Sequence, residues 1–290
     1  MHLCIFNPEH DLCLAKGRAT YVPPQSAVDF ARQNAAIMQP LYPGCIYRSA
    51  YDLQNLPEIT NVVTWGWNVT LKWQLQRAGI DSALLPTDEY LDTLRALQHR
   101  TTILPLQPDC KAIHSMVEAE GLFIGEQQRW VLKAPWSGAG RGLRWVTGAL
   151  SPNDRTWISK TIDSQRCVIA EPRRAVKADF ALEYYAAEGS LRFVGYSLFN
   201  TEGGVYRSNA TATDDEIVAY LKSISPSEFD DEVENITHWL QANIVPHYSG
   251  PIGIDLMACA DSHIYVSEMN LRHTMGMVAH SKINHKPLTI

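Results

Sequence analysis

IGIDLMACADSHIYVSEMNLR, residues 252–272, reads as two strands joined by a turn. Ile252, Ile254 and Leu256 alternate along the first strand, Ile264 and Val266 along the second, and Ala260 to His263 form the turn. A symmetric four-residue turn sets Cys259 opposite Ile264. Counting outward then puts Asp255 directly opposite Glu268, with Asn270 two residues on and on the same face as Glu268. Opposed carboxylates about 5 Å apart repel each other, and a hard cation relieves that repulsion. Oxygen donors with no Cys or His pair nearby suit Mg2+ better than zinc. Taken alone, the solvated outer face of an amphipathic hairpin accounts for the same pattern.

The chain has 290 residues, enough for two domains or one large one, and a formal net charge of -6. Its basic residues are scattered, which argues against nucleic acid held by bulk electrostatics. Cys4, Cys13, Cys45, Cys110, Cys167 and Cys259 include no CxxC pair and fit reduced thiols. The N-terminal MHLCIFNPEH lacks the basic start of a secretory signal, and no stretch approaches the roughly 18 apolar residues of a membrane span. A cytoplasmic protein without a membrane partner is the expectation.

The first hundred residues alternate strand and helix signals, as a parallel sheet covered by helices does. Strands are expected at Leu3 to Phe6, Asn61 to Trp65 and Ala83 to Leu85, and helices at Ser26 to Met38, Leu71 to Ala78 and Thr87 to Gln98. The Pro-containing ILPLQPD, residues 103–109, reads as a linker, and Lys111 to Glu120 as a helix ending at Gly121. From Trp130 the chain is strand-rich. Capping boxes at Thr213 with Glu216 and at Ser225 with Glu228 start two helices, the second burying Phe229, Val233, Ile236, Leu240 and Ile244.

WVLKAPWSGAGRGLRWV, residues 130–146, is a strand, a glycine loop and a strand. It is neither a Walker loop nor a dinucleotide fingerprint, because Leu143 to Val146 alternate as a strand instead of opening a helix. Such a hairpin can fold its N–H groups over phosphates, with Ser137 and Arg141 as further donors and Lys133 on the incoming strand as a point charge. A surface turn with a snorkelling lysine gives the same pattern. In CVIAEPRRAVKADFALEYYA, residues 167–186, a buried strand ends at Glu171-Pro172, and Phe180, Leu182 and Tyr184 resume alternation. Backbone freed from pairing between Glu171 and Arg174 could meet an adenine edge, and Asp179 ribose hydroxyls; an ordinary polar connection serves equally.

Together, Lys133 with its glycine loop, Glu171 after a hydrophobic strand, and GIDLM followed by SEMNLRHTMGMVAHS resemble the ATP-grasp superfamily. The step from Asp255 to Glu268 and Asn270 is similar to that of D-alanine ligases, and the EMNxR wording to biotin carboxylases. DCKAIHSMVEAEGL, residues 109–122, resembles the helix that opens the ATP-grasp region. The match covers roughly residues 105 to 285 and implies an ATP-grasp fold: α/β, becoming α+β in the C-terminal part. Residues 1–104 would form an N-terminal, Rossmann-like, parallel-sheet domain. Residues 105–290 would form the ATP-grasp domain, with subdomains of approximately 105–170 and 171–290.

The resemblance assigns Lys133 to the α- and β-phosphates, with Lys111 as a second phosphate lysine. Ser137, Gly138, Gly140, Arg141 and Gly142 would cover the β- and γ-phosphates; Glu171, Pro172 and Arg173 would meet adenine, and Asp179 ribose. Asp255, Glu268 and Asn270 would hold Mg2+, while Arg272, with Arg207, would stabilise the transferring phosphoryl group. Where D-alanine ligases place an arginine two residues before the first metal aspartate, this chain has Gly253. The implied activity is an ATP-dependent carboxylate–amine ligase acting through an acylphosphate; a small-molecule kinase and a non-catalytic ATP-binding module share the fold. Partners would be a small carboxylate and an amine, and the oligomeric state stays open, a homodimer included. Asn7, Glu9, His10, Trp65, Trp67, Tyr206, Arg207 and Asn209 are candidate substrate contacts.

Overall fold

Leu3, Cys4, Ile5 and Phe6 are all buried, an unbroken apolar run of the kind that both faces of a covered sheet require. In the computed structural model, which describes residues 1–124, 129–138 and 142–288, they belong to β1 (His2–Phe6). β1 pairs in parallel with β2 (Ile46–Ser49) and β3 (Asn61–Thr64), in the order β2-β1-β3. Helices Val69–Arg77 and Asp88–Leu97 start where Asn68 and Thr87 accept from the backbone N–H groups of Leu71 and Tyr90. The expected helix at Ser26 to Met38 is shorter, Gln25–Gln33, because the Asn34 side chain bonds back to the Phe30 carbonyl. The expected strand at Ala83 to Leu85 is a 3-10 turn, Ser82–Leu84, nucleated by the Asp81 carboxylate on Ala83 N–H. β2 was not foreseen, since its half-buried residues Ile46, Tyr47 and Arg48 do not alternate.

ILPLQPD is not a free linker. Arg100–Leu106 is a 3-10 helix, Ile103 is buried in the largest core, and Gln107 Nε2 donates to the carbonyls of Val266 and Ser267 at 2.8 and 3.1 Å.

The second sheet, ordered β4-β7-β5-β6, is antiparallel and contains β4 (Lys111–Ile113), β5 (Arg129–Lys133), β6 (Leu143–Thr147) and β7 (Val168–Pro172). The helix expected from Lys111 begins only at Met116: Lys111 to Ile113 pair with β7, and Ser115 caps Met116–Leu122, so Gly121 lies inside the helix. Helix Pro152–Gln165, with a Ser151 and Asp154 capping box, escaped the sequence reading. It buries Ile158 against Leu132 and Ala170.

The third sheet, ordered β10-β9-β8-β11-β12, is also antiparallel. Its strands are β8 (Val176–Ala187), β9 (Ser190–Glu202), β10 (Val205–Asn209), β11 (Gly250–Cys259) and β12 (Ile264–Asn270). Phe180, Leu182, Ile252, Ile254 and Leu256 pack with Ile217, Leu221, Ile236 and Leu240 of helices Asp214–Ile224 and Phe229–Asn243. The second of these starts at Phe229, because Ser225 closes the preceding helix instead of opening this one. The opposite face of the sheet is thereby left for polar residues. Among the described residues, no helix is long and apolar enough to cross a membrane.

Candidate functional site

A cavity of about 1000 Å³ lies between the second and third sheets, and Pro8, Asp11 and Trp65 from the N-terminal region also line it. Strand register arranges its floor in three rows. Phe199, Asp179 and Met257 form the first, Ser197, Ala181, Asp255 and Glu268 the second, and Gly195, Glu183, Gly253 and Asn270 the third. Rows on one face of a sheet are about 7 Å apart.

Asp255 lies opposite Glu268, but two departures from a plain hairpin cancel to put it there. Near the turn Ala258 faces Ile264, one residue out of the symmetric register, and a bulge at Ser267 restores it between Leu256 and Asp255. The bulged residue has its own contacts: Lys133 Nζ donates to Ser267 Oγ at 3.0 Å and to its carbonyl at 3.3 Å. Asn270 Nδ2 donates to Asp255 Oδ2 at 3.1 Å. Burial, and next the Glu268 charge, push the Asp255 carboxyl well above the usual range, against the pull of Arg272 and the Asn270 hydrogen bond. Among the described residues no cluster of three or more His, Cys, Asp and Glu is arranged around a metal. A cation here would rest on two carboxylates and an amide, which suits a hard ion that keeps water and phosphate oxygens. The raised Asp255 pKa fits such an ion, since a buried carboxylate in need of positive charge is what it would meet.

On the roof, Val131 lies opposite Glu171, and Lys133 Nζ reaches Glu171 Oε2 at 2.8 Å, both side chains buried. Lys111 is not brought to this site. It lies opposite Ala170, which lies opposite Leu132, so it shares the face that packs on the helices, and its side chain is exposed. Cys110 falls nearer the cavity, with its Sγ 3.9 Å from Glu171 Oε2. Strand pairing with β5 also outlasts the expected break: Pro172 lies opposite Trp130, and Arg173 N–H donates to the Arg129 carbonyl, while pairing with β4 ends at Ala170. The Arg173 side chain lines the cavity, its guanidinium 5.3 Å from the Trp145 ring centre. Asp179 lines it too, accepting from Thr201 Oγ1 at 2.6 Å; burial raises its pKa against that bond.

Ser137 and Gly138 line the cavity, and Gly142 closes the loop by accepting from Ala134 N–H at 2.9 Å. Gly140 and Arg141 lie outside the described residues. Arg272 donates from Nε and Nη2 to Asp11 at 3.3 and 3.1 Å, a fork that ties the N-terminal region to the site. Arg207 is excluded: it is exposed on edge strand β10 and pairs with Glu202 at 2.7 Å, while Tyr206 and Asn209 line the cavity. Asn7, Glu9 and His10 turn inward instead, bonded to Gly66, Tyr51, and Asn68 with Gln98. Burial pulls His10 down to about 4, leaving a neutral imidazole. Trp65 lines the cavity, and Trp67 packs in the core.

Three site residues escaped sequence reading. Arg100 pairs with Glu268 at 2.6 Å and donates to Ser137 Oγ at 2.7 Å, to the Ser137 carbonyl at 3.0 Å and to the Ala134 carbonyl. It thereby fixes the loop to the floor, and no local motif marks it. Asp11 is the partner of Arg272. Glu183, fully buried, accepts from Thr274 Oγ1 at 2.9 Å and Ser197 Oγ at 3.1 Å, and burial pushes it up to about 8. Its signal was available, because the alternation of Phe180, Leu182 and Tyr184 assigns Asp179, Ala181 and Glu183 to the other face.

No protein-family profile matches the sequence, and no protein of curated function is similar to it in sequence. Solved structures do resemble it. N5-carboxyaminoimidazole synthetase from Staphylococcus aureus, complexed with ADP, superposes with a TM-score of 0.54 at 13% identity, over 100% of this chain and 78% of that one. D-alanyl-alanine synthetase A from Vibrio cholerae gives 0.53 at 13% identity, over 98% and 93%. D-cycloserine synthetase DcsG gives 0.53 at 12% identity, over 98% and 99%. These are ATP-grasp enzymes, and this chain has their fold: a parallel sheet followed by two antiparallel ones.

Proposed function

We propose that the cavity binds ATP with Mg2+ and that the chain is an ATP-dependent ligase, activating a carboxylate as an acylphosphate for attack by an amine. The observation that carries this reading is the pairing of Asp255 with Glu268 in the middle row of the floor, in the cavity that Lys133, Ser137 and Gly138 also line. The fold shared with the synthetases supports it.

Asp179, one row to one side, would take ribose hydroxyls, with Arg173 and the Glu171 region near the base. Lys133 would exchange part of its bond with Glu171 for phosphate oxygens, and Ser137 and Gly138 would cover the terminal phosphates. Asp255, Glu268 and Asn270 would hold Mg2+, which would supply positive charge to offset that of the phosphates. Arg272, oriented by Asp11, would face the phosphoryl group as it moves to the substrate carboxylate. Arg100 would act by positioning, since its hydrogen bonds hold Ser137 and Glu268 in one arrangement. The chain would contribute charge and geometry, and the acyl group would pass from the acylphosphate to the amine as phosphate leaves.

Coupled-enzyme measurement of ADP release with paired carboxylates and amines tests the reading. Release that needs both compounds is expected. A stable phosphorylated product formed without an acceptor would assign a kinase instead.

A further inference from the structure

Glu183 occupies the third row of the floor, one row beyond Asp255 and on the side away from Asp179. If ribose sits at the first row and phosphates at the second, the third is where a substrate would lie beside the phosphates. The carboxylate there is built in with care. Its Oε1 accepts from Ser197 and Thr274, and Thr274 also caps helix Met275–Asn284, whose N-terminus favours negative charge. Two glycines leave room for it: a Cβ on Gly276 would fall 2.0 Å from Oε1, and one on Gly253 3.1 Å from Oε2. Oε2 is buried and has no hydrogen-bond partner among the described residues, and Glu183 lines the cavity.

The charges around it are one-sided. Lys133, Arg100 and Arg272 are each engaged by a carboxylate, from Glu171, Glu268 and Asp11. Glu183 has no ion-pair partner among the described residues, and its cross-strand neighbours are Gly195 and Gly253, which bring no side chain. A buried carboxylate that lines a cavity with one oxygen unpartnered and no cation paired to it calls for one from the ligand.

Resting on the ligase reading above, we infer that Glu183 anchors the cationic amino group of the substrate in this row. The substrate so held is an amine or amino acid that turns its ammonium, and not its carboxylate, toward Gly253. Two N–H···O bonds to one carboxylate, with Ser197 and Thr274 holding the other oxygen, would fix it next to the phosphates. Glu183 selects the substrate, and Ser197 positions Glu183.

The test uses the full chain saturated with Mg2+ and the non-hydrolysable analogue AMP-PNP. Calorimetric titration compares ethanolamine, putrescine and the L- and D-amino acids with counterparts in which hydroxyl replaces amino. At least one amino compound is expected to bind, with its hydroxy counterpart weaker by roughly 10- to 100-fold. Glu183→Gln should erase that difference while AMP-PNP affinity stays unchanged and the melting temperature does not fall, and Ser197→Ala should reduce it severalfold. Should Glu183→Gln fail to fold, Ser197→Ala carries the test. Amine binding unchanged in a folded variant, or no amino compound binding to the nucleotide-loaded protein, overturns the inference and leaves the nucleotide reading standing. Failure of AMP-PNP itself to bind overturns both.

Discussion

The two sheets that enclose the cavity handle charge differently. On the roof, Lys133 is matched by Glu171 at 2.8 Å. On the floor, Asp179, Glu183 and Asp255 have no ion-pair partner among the described residues, although burial raises the pKa of each. Burying a carboxylate without compensation costs several kcal/mol, so a protein keeps one only where the cost serves a ligand. A neutralised roof can lend its lysine to an anion, whereas a floor short of positive charge recruits cations. On the function proposed above, one cavity would thus offer a face to phosphates and another to metal and ammonium.

The contrast is broken or sharpened first at Asp255. Asp255→Asn removes a repelled carboxylate, and ADP release is expected to fall by about 10³-fold or more while the ligand-free protein gains about 1–2 kcal/mol in denaturation at pH 8. Loss of stability together with activity would contradict a strained floor. On the roof the opposite sign is expected. Lys133→Met leaves Glu171 buried without its cation and should cost about 3–5 kcal/mol in urea denaturation, most of it recovered in Lys133→Met with Glu171→Gln, with nucleotide affinity lost in both.

A pH series separates the floor further. Glu183 has a folded pKa of about 8 against an ordinary 4.5, so the folded state holds its proton more tightly than the unfolded one. Its contribution is therefore fully present below pH 4.5 and is lost as pH rises toward 8. Without ligand, the natural protein should lose on the order of 2–4 kcal/mol relative to Glu183→Gln between those limits, measured by thermal denaturation. Parallel curves would remove Glu183 from the uncompensated set. The smallest effect belongs outside the contrast: Arg207→Ala and Lys111→Ala should each leave the rate within about twofold, since both side chains are exposed and away from the cavity lining.

What could be read beforehand followed local pattern. Lys133 stood out as a lysine inside an apolar strand, and Asp255 with Glu268 as carboxylates at matched distances from a turn. That second reading reached the right pair because an asymmetric turn and the Ser267 bulge offset each other, neither of which alternation reveals. Lys111 was misjudged for a long-range reason: pairing of β4 with β7 decides which face it takes, and a helix was expected there. Arg100 and Asp11 pair with Glu268 and Arg272, far away in sequence, so no local pattern marks them, whereas alternation along β8 already put Glu183 on the face of Asp179. The N-terminal sheet was legible in β1 and β3, where apolar runs are buried, and illegible in β2, where half-exposed residues carry no period.

The most direct measurement is a crystal of the protein with AMP-PNP and Mn2+, examined at a wavelength where manganese scatters anomalously. A peak within about 2.2 Å of carboxylate oxygens of Asp255 and Glu268, with the triphosphate between that peak and Lys133, is expected. A nucleotide bound elsewhere, or a peak absent from the Asp255 row while the nucleotide is in place, would contradict the account.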